Sequence, residues 1–225
     1  MSIYNEGFGT LYERIVRKEY LERLLYENTF ENVLEIKCGF GIDSRIFSGK
    51  KVTLADDRLE YVKECKKMWE QDECNIVITD MELLPFKKNS FDFIWSSSVL
   101  DDRQKTKDYI LKLKELTMKY LLLFASNDLH FTHAIKKIGK ERDWLDIKTL
   151  PSFFKSCGFK ILDCGNIDSP PWPSGFCIPG GKMKSDTRKI DSSNKLKKIA
   201  VLENILPSKV KIFTAHQVYV FAQKI

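Results

Sequence analysis

The sequence predicts an α/β protein: an open, mostly parallel sheet of seven strands with helices on both faces. Three observations carry this. Short apolar runs alternate with amphipathic helical stretches along most of the chain, as strands and crossover helices do. The run Tyr120-Leu121-Leu122-Leu123-Phe124-Ala125 is apolar throughout, as a strand covered on both faces must be. The stretch Val33-Leu34-Glu35-Ile36-Lys37-Cys38-Gly39-Phe40-Gly41 carries an apolar strand into a glycine-rich turn. Glycines there let the backbone take positive φ and come close to a ligand, and the amides that follow can face an anionic group.

The elements follow in order. Thr10-Leu11-Tyr12-Glu13 has the capping-box pattern. Tyr12, Val16, Tyr20 and Leu24 then recur every four residues with Leu11, Ile15, Leu21 and Leu25 beside them, an amphipathic helix. A first strand over 32–36 enters the glycine turn, and a short helix starts near Asp43 or Ser44. A second strand over 51–57 ends in Asp56-Asp57, with Asp57 expected to cap the next helix and Tyr61, Val62, Cys65, Met68 and Trp69 on that helix's apolar face. A third strand over 74–79 ends at Asp80-Met81. The cluster Lys88-Asn89-Ser90 marks a turn into a fourth strand over 91–95, with Ser96 and Ser97 just past it. Tyr109, Ile110, Leu113 and Leu116 suggest the crossover helix before the fifth strand.

The later chain is less regular. Residues 127–141 read as a loop and a basic helix, and 149–157 as a helix stopped by Gly158. A sixth strand covers 159–164, a helix 195–206 and a last strand 217–223. The chain reads as a single domain over 1–225, with an N-terminal helical lid over about 1–28 and a long loop insertion over about 168–193.

Composition excludes several classes. With 43% hydrophobic and 30% charged residues, the chain has the balance of a globular domain. No apolar run approaches the ~20 residues of a membrane span, so no membrane is expected as a partner. The first residues lack a basic region followed by an apolar core, and the six cysteines show no zinc-like or CxxC pairing. A cytoplasmic protein with reduced thiols is the expectation. The net charge of +6 is modest. Residues 182–211 are rich in lysine, but no aromatic stacking pattern accompanies them, so a solvated face is expected rather than a nucleic-acid site.

Open parallel sheets bind ligands at the carboxyl ends of their strands, where strand order reverses. Glu35 to Gly41, Asp56, Asp80, Ser96 and Ser97 all fall at such ends. Asp56 follows Gly39 by 17 positions, about the spacing at which an acidic residue meets a ribose diol in dinucleotide-type folds.

The glycine turn, Asp56, Asp80 and the set Leu83-Leu84-Pro85-Phe86 with Ser90-Phe91-Asp92 resemble the class I S-adenosylmethionine-dependent methyltransferases, and most nearly the small-molecule group of ubiquinone- and menaquinone-type enzymes. The resemblance is best over 32–100. It implies the Rossmann-like methyltransferase fold, S-adenosylmethionine as cofactor, a small-molecule methyl acceptor and no metal. It also implies residue roles. Glu35, Cys38, Gly39 and Gly41 would border the methionine half of the cofactor. Asp56 would accept hydrogen bonds from both ribose hydroxyls, with Asp57 flanking the adenine side. Asp80 would bond the adenine amino group with Met81 beside the ring, and Ser96 and Ser97 would line the cleft near the methyl group. A carboxylate, which only accepts hydrogen bonds, suits a diol that donates two. Tyr4, His130, His133 and Trp172 are substrate candidates by position.

The chain departs from the family pattern at three places. Lys37 stands where glycine is usual, Asp101-Asp102 where aromatic or histidine residues are usual, and Thr117-Met118-Lys119-Tyr120 where a proline-glycine-glycine turn is usual. The Lys37 side chain is expected to point away from the cleft on a backbone of negative φ, leaving the cofactor room. Two other functions compete. A methyltransferase-like binding protein would have lost catalysis through Lys37. A nicotinamide oxidoreductase is disfavoured because the turn reads Gly39-x-Gly41-x-x-Ser44, without the third small residue, and the Leu-Pro-Phe and Ser-Phe-Asp pieces have no role there.

Overall fold

In a computed structural model, the structure describes residues 8–80, 82–101, 105–131, 145–169 and 197–225, except 199, 202 and 204. Seven strands form one sheet: β1 (Asn32–Ile36), β2 (Lys51–Asp56), β3 (Cys74–Ile78), β4 (Phe91–Ser96), β5 (Thr117–Ser126), β6 (Phe159–Ile167) and β7 (Gln217–Lys224). Their order is β3-β2-β1-β4-β5-β7-β6. Strand β7 runs antiparallel to both neighbours, and the other strand pairs are parallel. This is the Rossmann-like methyltransferase fold. Strand order reverses between β1 and β4, so the carboxyl ends of those two strands are where a ligand crevice opens.

Alternating residues of the strands divide the core between the two faces. On one face Leu34, Ile94, Leu121, Leu123 and Val220 pack under α3 (Thr106–Leu116) and α4 (Thr149–Ser156). On the other, Val33, Phe93, Trp95, Leu122 and Phe124 pack under α1 (Phe8–Glu27) and the Cys65 and Trp69 side chains of α2 (Leu59–Met68) and the turn after it. The four-residue stripe predicted on α1 is the buried one: Tyr12, Val16, Tyr20 and Leu24 are all at most 7% exposed.

Local signals misled in three places. Thr10 lies within α1, which is helical from the first described residue, Phe8, so it is not the cap, because a cap residue must precede the helical backbone. Asp57 does not cap α2 either. Arg58 occupies the cap position, and it is the Asp56 carboxylate, one residue earlier, that accepts from the Arg58 amide at 3.0 Å. A seven-residue helix, α5 (Ser208–Thr214), follows Pro207 where no helix is predicted. It buries no residue, so it has no apolar stripe to read in the sequence. The unusual Thr117-Met118-Lys119-Tyr120 needs no turn at all. Thr117 Oγ1 donates to the Leu113 carbonyl at 2.7 Å, closing α3 as β5 begins.

Candidate functional site

The glycine turn leaves β1 at Ile36 and takes left-handed backbone at three of its next five residues: Lys37 (φ 52), Gly39 (φ 55) and Gly41 (φ 64). The two glycines serve different ends. A Cβ on Gly41, also at positive φ, would lie 2.5 Å from Leu54 Cδ1, so packing against β2 opposes a side chain there as well. A Cβ on Gly39 would meet nothing within 4 Å, so only its φ asks for glycine, and its exposed side faces open space. Hydrogen bonds fix the turn. The Gly41 amide donates to the Cys38 carbonyl at 2.8 Å, the Cys38 amide to Ala55 O at 3.2 Å, and Trp69 Nε1 to the Gly41 carbonyl at 3.1 Å. The Gly39 amide donates to Asp56 Oδ2 at 2.8 Å.

Beside the turn, at the carboxyl ends of β1 and β4, is a cavity of about 220 Å³. Glu35 of β1 and Lys37, Cys38 and Gly39 of the turn line it, with Ser97 and Ser98 just past β4. Arg14 and Arg17 reach it from α1, and Phe40, Arg58 and Tyr61 close the far side. Asp43, in the 3₁₀ helix Asp43–Phe47, ties the α1 arginines in place: Arg17 Nη2 lies 2.6 Å and Arg14 Nε 2.8 Å from its carboxylate. Arg17 also pairs with Glu13 one turn back. Burial alone would raise the Asp43 pKa, but Arg17 and Arg14 more than offset it, and the group is held below the usual aspartate value.

Glu35 behaves oppositely. Its side chain is buried, and Oε2 has no hydrogen-bond partner among the described residues. Burial first, then the nearby Asp43 charge, push its pKa well above the usual glutamate value, while a hydrogen bond with Ser44 works against the shift. The cavity therefore holds a carboxyl of raised pKa, a guanidinium-rich wall, and Lys37.

The predicted cofactor residues within the described chain fall into three groups. Glu35, Cys38, Gly39 and Ser97 share the cavity. Gly41, Asp56 and Ser96 stand behind it as buried supports. Asp56 is 1% exposed, with Oδ2 on the Gly39 amide and Oδ1 on the Arg58 amide. Ser96 Oγ accepts from the Val99 amide at 3.1 Å, starting the 3₁₀ helix Val99–Asp101. Asp57 and Asp80 are exposed at neighbouring strand ends, and Asp80 Oδ1 accepts from the Glu82 and Leu83 amides at 2.8 and 2.9 Å. His130 is apart from the cavity: it is buried after β5, its ring stacked on His216 at 4.1 Å. Tyr4, Met81, His133 and Trp172 lie outside the described residues.

The structure corrects the expectation for Lys37. Its φ is positive, and the residue lines the cavity rather than leaving it. The turn imposes the same left-handed step on lysine that glycine would take freely. Sequence reasoning also missed Arg14, Arg17, Asp43, Arg58 and Tyr61. The one available signal was that Arg14 and Arg17 sit three apart on a helix, hence on one face. Asp92, in the Ser-Phe-Asp piece, is structural: its Oδ2 accepts from the Glu31 and Asn32 amides at 3.0 and 2.9 Å and pins the start of β1.

Residues 34–117, from β1 to the first residue of β5, match the family model described as a methyltransferase domain. No curated protein matches the sequence. Among solved structures, a SAM-dependent methyltransferase from Archaeoglobus fulgidus is 16% identical, with 94% of each chain covered and a TM-score of 0.60. The magnesium protoporphyrin IX methyltransferase of Synechocystis PCC 6803, solved with S-adenosylhomocysteine (SAH), is 14% identical, with 95% of this chain and 86% of that one covered and a TM-score of 0.61. The [4+2]-cyclase SpnF is 12% identical, with 93% and 80% covered and a TM-score of 0.62. At these identities the structures speak for the fold.

The sheet order is that of the Rossmann-like methyltransferase fold, and the matched segment, which includes the glycine turn, is similar to a methyltransferase domain. S-adenosylmethionine is the cofactor of the class I methyltransferases that the sequence resembles, and one of the structures sharing the fold was solved with SAH.

The residues present fit that molecule. The orphaned Glu35 oxygen, the open side of Gly39 and the Ser97 and Ser98 hydroxyls offer polar contacts, and Arg14 and Lys37 offer charge for a carboxylate. The volume is below the ~300–1,000 Å³ of typical ligand pockets. The Arg58 guanidinium covers the way to Asp56, lying 3.7 Å from the centre of the Tyr61 ring. That arginine side chain is 50% exposed, so it can swing out at small cost.

Proposed function

We propose that this domain transfers the methyl group of S-adenosylmethionine to a small-molecule acceptor and works as a single domain over 1–225 in the cytoplasm. The observation that carries the reading is the cavity at the reversal point of the sheet, lined by Glu35, whose Oε2 lacks a partner among the described residues, and by the open side of Gly39. When bound, the cofactor supplies an electrophilic methyl group. The chain's own part is positioning, which can account for much of a rate enhancement. Arg14 and Lys37 would hold a carboxylate, and Glu35 would accept from an ammonium. Asp56 would keep the Gly39 amide fixed and, once Arg58 turns away, face a ribose. Asp57, Asp80 and Met81 would attend the adenine, while Gly41, Ser96 and Ser97 shape the cleft. Tyr4, His133 and Trp172 stay candidates for the acceptor side. The Leu-Pro-Phe and Ser-Phe-Asp pieces favour the ubiquinone- and menaquinone-type group.

A second reading is a methyltransferase-like binding protein without turnover. Lys37 favours it, because an ammonium on the cavity wall opposes the positive sulfonium. Calorimetric titration with S-adenosylmethionine and SAH, on the wild type and on Lys37→Gly, separates the two. The catalytic reading expects both ligands to bind the wild type, with S-adenosylmethionine gaining more than SAH in Lys37→Gly. Binding only after Lys37→Gly would sink catalysis by the wild type.

A further inference from the structure

Two thiols that no part of the proposed chemistry uses meet at the glycine turn. Cys38 lies in the turn and Cys65 on the inner face of α2, and their sulfurs are 3.9 Å apart. Both are free. Cys38 is 8% exposed and lines the cavity, whereas Cys65 is fully buried behind it. The Cys65 S–H donates to the Gly39 carbonyl at 3.1 Å, so it helps to hold the turn. A disulfide needs a sulfur separation of about 2.05 Å, so the two must close by nearly 2 Å. The turn is where such a shift is easiest, since Gly39 has no side chain and faces open space.

We propose that Cys38 and Cys65 are an oxidisable pair: a peroxide admitted through the cavity oxidises Cys38, and Cys65 converts the product into an intramolecular disulfide that reshapes the turn. The Cys38 sulfur attacks one peroxide oxygen, the O–O bond breaks, and the other oxygen leaves as water with the thiol proton. The Cys65 sulfur then attacks the resulting sulfenic acid at sulfur. The S–S bond forms, the S–O bond breaks, and hydroxide leaves with the Cys65 proton as a second water. Two thiols give up two electrons, and one peroxide becomes two waters.

The hydrogen bond with Cys65, then burial, keep the Cys38 thiol protonated. Only a thiolate attacks, so the pair oxidises slowly at neutral pH and faster as pH rises. The disulfide takes the Cys65 donor away from Gly39 and draws Cys38 toward α2. On the proposed function, both changes reach the wall of the cofactor cavity, and bound SAH covers Cys38.

The test treats the reduced full chain with hydrogen peroxide at mildly alkaline pH, alkylates it, and maps its peptides by mass spectrometry. A linked peptide joining Cys38 and Cys65, lighter by about 2 Da and reversed by dithiothreitol, is expected. In Cys65→Ser, dimedone should trap Cys38 as the sulfenic acid. Oxidation of the exposed Cys164 with no Cys38–Cys65 link would overturn the pair. SAH titration then reads the consequence. Oxidised wild type should bind at least roughly fivefold more weakly than reduced protein, and dithiothreitol should restore the affinity. Equal affinity with the disulfide formed would overturn the reshaping. If reduced protein fails to bind SAH, the cofactor reading of the cavity falls and the reshaping with it, while the linked peptide still decides the pair.

Discussion

Lys37 sits at φ 52, where an L-residue is held at a cost of roughly 1–2 kcal/mol. Glycine would remove that strain and add about 0.5–1 kcal/mol of unfolded-chain entropy. Lys37→Gly is therefore expected to be neutral to about 1 kcal/mol more stable, read from the urea midpoint. A clearly lower midpoint would mean that the lysine stem packs against the cavity wall more tightly than its strain costs. Asp56 presents a second single-residue question. Its carboxylate already satisfies two backbone amides, Gly39 and Arg58. Asp56→Ala leaves those donors without their partner and should cost about 1–3 kcal/mol of fold stability with no cofactor present. An apo variant as stable as wild type would show that the carboxylate serves a ligand rather than the turn.

At the scale of elements, the joint between α1 and the 3₁₀ helix Asp43–Phe47 governs the cavity, because Arg14 and Arg17 cross it to reach Asp43. Arg17 is 5% exposed, so losing its partner strands a buried charge. Asp43→Asn should cost about 3 kcal/mol at neutral pH, the low end of the range because Glu13 still pairs with Arg17. The sign with pH follows from the depressed Asp43 pKa. The carboxylate's contribution is complete above the ordinary aspartate value and is lost as pH falls through the lower folded value. Wild type and Asp43→Asn should thus converge in stability in strongly acidic buffer. A gap that stays constant down to acid unfolding would remove the ion pair as its cause. Elements were legible to different degrees. Strand positions were readable to within a few residues, because apolar runs between turn residues are local signals. Helix α5 was not, because a helix that buries nothing leaves no period.

Across the whole molecule, a buried acidic cluster joins elements distant in sequence. Asp168, just past β6, has φ 70 and is 5% exposed. Glu13 and Arg17 of α1 and Glu203 of the C-terminal helical segment face it. Glu203 is itself tied down by Tyr12 Oη at 2.8 Å and the Asp168 amide at 2.7 Å. Burial, then Glu13 and Glu203, raise the Asp168 pKa to about 8, while Arg17 opposes the rise. The folded state then keeps a proton that the unfolded chain releases near pH 4. Stability attributable to this group falls as pH rises from about 4 to about 8 and levels off above. Asp168→Asn, a residue that also tolerates positive φ, should flatten that slope and unfold at higher denaturant than wild type near pH 8. Chemical denaturation across this range checks it, and parallel slopes for the two proteins would exonerate Asp168.

The sequence by itself determined the sheet, its strands and the glycine turn, since each is written in neighbouring residues: apolar runs, their spacing, and Gly39 and Gly41 between them. It also placed Asp56 correctly at the end of β2, because strand ends follow from strand length. Tertiary structure alone decided what stands around the turn. The meeting of Arg17 with Asp43 and of Cys38 with Cys65, and the burial that raises the Glu35 pKa, arise when elements pack. Arg17 and Asp43 are 26 residues apart in sequence, and Cys38 and Cys65 are 27 apart. No local period records such a contact; it is fixed by the helices closing on the sheet, where burial also sets the charge of what they enclose.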